Sequence, residues 1–187
     1  MHRNQAGNNW VGTSLLFSSS SLLAGIIAGA ALGALGSVIP VPARVAGASV
    51  LSVAAVVAGV LSLVGRTHVL QCNRETPQRW VRAGPVCWAL RNGATLGVGA
   101  TTRIGFWLWY AVPLGALFLA HPVWGALVYG IYAGTRGMAV WGILLVLAPR
   151  YGESYASWLL THGSVARMAT AGYLIVLGVV GVLVVGL

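Results

Sequence analysis

Lysine and aspartate do not occur in this 187-residue chain, and its acids are Glu75 and Glu153 alone. Only 7% of the residues are charged, whereas 58% are hydrophobic. A soluble domain carries about 25% charged residues, so the composition predicts an integral membrane protein. The shortage of acids also removes whole classes of chemistry. With no aspartate and two glutamates in polar segments, no serine triad and no metal cage is evident, so an enzyme is not the expected reading. Cysteine is almost as scarce: fourteen residues separate Cys72 from Cys87, and no C-x-x-C is present. That is not a zinc spacing, and His68 beside Cys72 is too little to make a site. No metal is expected, and the sequence names no cofactor.

What the chain does have is arginine. Eleven of them give a net charge of +9. A basic balance can mark a nucleic-acid binder, but these arginines sit in short polar segments beside long apolar runs. That is the positive-inside pattern, and it suits anionic lipid head groups rather than nucleic acid. The start, Met1 to Trp10, is polar and the first apolar run is long enough to cross, which predicts no removable signal peptide.

The apolar runs predict an all-α, polytopic helical bundle with five spans in one membrane domain. They cover about residues 15–38, 45–64, 89–120, 123–148 and 168–187. Residues 65–88 form a hydrophilic connection, and 150–167 an amphipathic segment expected to lie in the interface. Pro40 and Pro42 end the first run. Pro77 followed by Gln78 to Arg82 predicts a short surface helix anchored by Trp80. With the N-terminus inside, the cytoplasmic side holds Arg3, Arg66, Arg74, Arg79, Arg82, Arg91, Arg150 and Arg167, and the outer side only Arg44. The expected location is a multi-pass cell membrane protein of the bacterial inner-membrane type, N-terminus cytoplasmic.

Gly25, Gly29, Gly33 and Gly36 place a GxxxGxxxG face on the first helix, the pattern of close helix packing. The serine run from Ser18 to Ser21 predicts contact with protein or water rather than lipid. A homo-oligomer, or a subunit of a larger membrane complex, is the expected state.

The third run carries the densest information. It opens on small residues (Gly93, Gly97, Gly99, Ala100), passes through Thr101, Thr102 and Arg103, and closes on Phe106, Trp107, Trp109 and Tyr110 before Pro113. At about thirty residues it is longer than the twenty or so that suffice, so a tilt or a break near Thr101 to Arg103 is expected, with a kink at Pro113. A charge at this depth costs about 2.5–3.5 kcal/mol and usually faces a cavity or a partner. Arg136, within the fourth run, poses the same question. Together they predict a cationic pocket for an anionic or polar group, with Asn92, Thr95, Thr102, Trp107 and Tyr110 as further contacts. The competing reading snorkels the arginines to the interface and makes the aromatic cluster a lipid-facing belt.

Gly29-Ala-Ala-Leu-Gly33 returns as Gly93-Ala-Thr-Leu-Gly97, which points to an internal repeat of the kind on which transporters are built. The glycine-rich helices, the proline-bearing turns and this repeat, over residues 22–64 and 89–148, resemble the CcdA and LysE-type membrane proteins. That resemblance implies either electron transfer through paired cysteines or export of a small solute. The CcdA type carries its cysteines beside prolines within two spans, whereas Cys72 and Cys87 lie in or beside the polar connection, so no functional residue carries over. Three functions follow: a permease-like protein for a small anionic or polar solute, a thiol–disulfide protein using Cys72 and Cys87, or a non-catalytic subunit binding lipid, quinone or pigment.

Overall fold

The computed structural model describes residues 10–65, 78–99, 108–142 and 168–183, all of them helix, turn or short connection. The helices are α1 (Trp10–Ser37), α2 (Val41–Leu63), α3 (Gln78–Arg82), α4 (Pro85–Val98), α5 (Leu108–Phe118), α6 (Pro122–Gly142) and α7 (Met168–Leu183). The expected all-helical class therefore holds among the described residues. The predicted interfacial segment 150–167 lies outside them.

Proline and glycine set the boundaries. The last turn of α1 tightens as Val38 and Ile39 donate three residues back, to Leu35 and Gly36. Pro40 then caps α2 in extended conformation (φ −56°, ψ 142°). Pro42 does not end the first helix, as its sequence position suggested; it sits in the first turn of α2, where a missing N–H costs nothing. Gly84 (φ 96°) and Pro85 open α4, and Gly99 (φ 79°), bonded back to Leu96, closes it. The left-handed cap at Gly99 is a position where a Cβ is costly. Helix α3 covers the five residues the sequence predicted.

Helix α1 is the centre. It lies between α4, which runs parallel to it, and α6, which runs antiparallel. Phe17 stacks on Trp88 (5.9 Å), and further along both helices Gly97 abuts the Ser21 backbone, so α1 and α4 rise together. Against α6 the order reverses: Ser18 meets Gly137, Gly25 meets Ala133 and Tyr129, Gly29 meets Gly125, and Gly33 meets His121. Helix α5 continues on the far side of the α4 terminus and brings Leu117 against Gly36. A second pair forms beside this core, where α2 and α7 run antiparallel through Gly59 against Ala171 and Ile175, and Gly178 against Ser52 and Val56. Phe118 of α5 packs on Gly47 of α2.

Many of the buried positions are small: Ala89, Ala116, Ala133, Ala171 and Ser21 are all fully covered, alongside the larger Tyr129 and Leu174. The exterior is apolar, with Ile27 68%, Val50 71% and Ile131 66% exposed. This inverts the arrangement of a protein surrounded by water. Two helices, over Val11–Ser37 and Val41–Leu63, are long and apolar enough to cross a bilayer. Trp109–Phe118 and Met168–Leu183 are shorter apolar helices.

Candidate functional site at the α4–α5 break

The third apolar run does not form one helix. It stops at Val98, and the level of that stop follows from its neighbours. Gly97 abuts Ser21, and α1 runs 28 residues from Trp10 to Ser37. At 1.5 Å per residue α1 is about 42 Å long, and Ser21 lies about 17 Å from its start. The end of α4 therefore falls close to half way along α1.

Three groups meet there. The Tyr129 hydroxyl, from a side chain only 2% exposed, donates to the carbonyl of Val98 at 2.9 Å. The Gly99 N–H donates to Leu96 O at 3.1 Å. Two of the carbonyls that a helix end leaves without intrahelical partners are thus answered. The third group is Trp109, whose indole is packed directly on Gly99. A Cβ at residue 99 would strike Nε1 and come within 2.7 Å of Cε2. Trp109 also stands edge-on to Tyr110 (4.8 Å, 83°). Its Nε1 is buried and has no hydrogen-bond partner.

Helix α6 extends the polar column towards its own C-terminal end. Tyr129 meets Tyr132 edge-on at 6.0 Å. Tyr132 in turn accepts from Arg136 Nη1 at 3.2 Å, and the guanidinium lies 5.5 Å from its ring centroid. Arg136 is seven residues beyond Tyr129, or about 10 Å along the helix. It is therefore near the level of Asn92 rather than at the break.

The serine run does meet protein. Ser18 donates to Gly137 O (3.3 Å), Ser21 to Ala133 O (3.2 Å), and Ser20 to both Phe17 O (2.9 Å) and Ala89 O (3.3 Å). These bonds tie α1 to both neighbours at Ala89, Ala133 and Gly137, on the side of the break towards Trp10.

Of the residues singled out from sequence, Asn92 and Thr95 are half-buried on α4, with Thr95 Oγ1 bonded to Asn92 O at 3.0 Å. Tyr110 stands beside Trp109, and Arg136 is tied to Tyr132. Arg103, Thr102 and Trp107 lie outside the described residues, as does Cys72. Cys87 is a free, half-buried thiol in the first turn of α4. No group of three or more metal-ligating side chains occurs among the described residues. Tyr129, Tyr132 and Trp109 were not singled out by sequence reasoning as members of one site. The only hint was the spacing Gly125, Tyr129, Ala133, Gly137, which sets Tyr129 on the small-residue face of α6. No protein-family model, curated protein or solved structure matches the chain.

Proposed function

We propose that this chain is a permease-like, multi-pass membrane protein for a small anionic or polar solute, and that the solute is held at the α4–α5 break. In this reading α4 and α5 are the two halves of one span. With α1, α2, α6 and α7 they make five crossings, N-terminus on the cytoplasmic side. Arg136 then lies towards the cytoplasmic end of the column that leads to the break, and Arg103 belongs to the segment that joins the two halves.

One observation carries the reading: a helix ends half way along a neighbouring helix long enough to span the bilayer. Helix ends expose unpaired backbone groups, and lipid offers them no partner. Such ends persist at membrane depth only where they are buried in protein or line a polar cavity, which is where discontinuous helices of transporters hold their solutes. The arginine asymmetry of the sequence supports the orientation. The apolar exterior and the covering of α4 by small residues support the bundle.

The test is flux into proteoliposomes of the full chain, with acetate, inorganic phosphate and a neutral polar solute as probes. The expected result is uptake of at least one probe that Arg103→Ala and Arg136→Ala each reduce about tenfold. Flux unchanged by both substitutions, or no flux of any probe, would contradict the assignment.

A further inference from the structure

We infer that the Trp109 indole N–H is the group that receives the guest, and that the guest presents a hydrogen-bond-accepting oxygen of the carboxylate or phosphate kind. This rests on reading the break as a solute site and adds the chemistry of what it binds.

Two features of the break bear on the sign of that chemistry. The end of α4 carries the negative pole of its helix and would by itself favour a cation. Two of its carbonyls, however, are already engaged, Val98 O by the Tyr129 hydroxyl and Leu96 O by the Gly99 N–H. The buried side-chain group at the break that has no hydrogen-bond partner among the described residues is a donor, Trp109 Nε1. A buried donor left unmade costs about 1–3 kcal/mol, so it is retained where something answers it. The indole N–H can only donate, so whatever answers it must accept.

The charge inventory points the same way. The two acids, Glu75 and Glu153, both lie outside α1, α4, α5 and α6, so a bound cation would find no carboxylate on these helices. Arg136 sits in the column instead. An anionic oxygen suits both the donor and the field.

Gly99 makes the placement specific. The indole occupies the space where any other residue would carry its Cβ, so the donor is set against the helix end by the absence of a side chain. Trp109→Phe keeps most of the ring and removes the donor. Gly99→Ala keeps the donor and displaces the ring.

The experiment uses the full chain in nanodiscs with 15N-labelled tryptophan. The Trp109 indole signal is assigned by its loss in Trp109→Phe. Potassium acetate and inorganic phosphate are titrated as probes, with methylammonium chloride as the cationic control. The expected result is a saturable downfield shift of the Trp109 indole proton with acetate or phosphate and none with methylammonium. Trp109→Phe should weaken probe binding about tenfold, the loss of one hydrogen bond worth about 1.4 kcal/mol, and Gly99→Ala should abolish the shift. An indole proton unmoved by every probe, or moved by methylammonium, overturns the inference. The two proposals fail separately. Arginine-dependent flux with a motionless indole leaves a permease that uses another donor. A saturable shift without flux leaves an anion-binding protein that is not a permease.

Discussion

The core of α1, α4 and α6 and the neighbouring pair of α2 and α7 are built from the same residues and held in different ways. Both use glycine to bring helices together. At the tightest crossings of the core, glycine faces backbone: an added Cβ at Gly29 would meet the carbonyl of Gly125, and one at Gly97 the carbonyl of Ser21. In the α2–α7 pair the contacts are mixed: a Cβ at Gly178 would meet the Ser52 carbonyl at 2.6 Å, whereas the nearest atom to a Cβ at Gly59 is Ile175 Cγ1 at 2.6 Å, part of a side chain that can turn aside, with Ala171 O next at 2.9 Å. Serine divides likewise. Ser18, Ser20 and Ser21 of α1 bond across to other helices. Ser49 and Ser52 of α2 bond to their own preceding turn, at Val45 O (2.9 Å) and Ala48 O (2.8 Å). A hydroxyl reaches a neighbouring carbonyl only where the backbones already lie close. Close approach is necessary but not sufficient: Ser52 lies against Gly178 and Gly181 and still bonds to its own helix, whereas the α1 serines cross.

That contrast can be broken at graded cost. Gly29→Leu should be the most damaging change, because backbone cannot move aside. A loss of about 3 kcal/mol or more is expected, read as unfolding at lower SDS fraction or failure to insert. Gly59→Ala should cost about 1 kcal/mol in the same titration, since Ile175 can repack. Tyr129→Phe removes the bond to Val98 O and should also cost about 1 kcal/mol. It should, in addition, speed amide exchange over the last turn of α4, which Gly59→Ala should not do. Ser21→Ala, which deletes a cross-helix bond, should cost about 0.6 kcal/mol, whereas Ser52→Ala should stay within about 0.5 kcal/mol of no change. If the two serine variants cost the same, the distinction between the regions is wrong.

Much of the architecture was legible in the sequence, and the reasons are local. Pro40 marks a boundary because it restricts a backbone dihedral whatever surrounds it; Gly84 and Pro85, by contrast, start α4 inside the connection expected over 65–88, and Gly99 ends it before the break expected near Thr101. The surface helix over Gln78 to Arg82 and an interruption of the third run were legible as well. The first glycine face was legible as a packing face, since GxxxG spacing puts small residues on one side of a helix. Its partner was not. Spacing does not tell which helix will fill the groove, and α6 is distant from α1 in sequence. The repeat linking Gly29–Gly33 with Gly93–Gly97 also serves different ends in its two copies: the first faces α6, the second faces α1. The column through Tyr129, Tyr132 and Arg136 could not be read, because the target of Tyr129 is a carbonyl on another helix, and no side-chain pattern announces a carbonyl. Sequence reasoning weighted Arg103, Thr102 and Trp107, which lie outside the described residues, and passed over Trp109 as an isolated donor.

The central claim is that water and solute reach a helix end at mid-membrane depth while lipid surrounds the bundle. Thiol accessibility in proteoliposomes tests it most directly, with the full chain carrying Cys72→Ser and Cys87→Ser and a single new cysteine. Trp109→Cys places the thiol at the break, and Leu23→Cys places it at a similar level on α1, at a side chain 59% exposed. The account predicts that a small hydrophilic methanethiosulfonate reagent labels the first and spares the second. Equal protection of both positions would mean that the end of α4 is sealed within protein, and the proposed site would be lost.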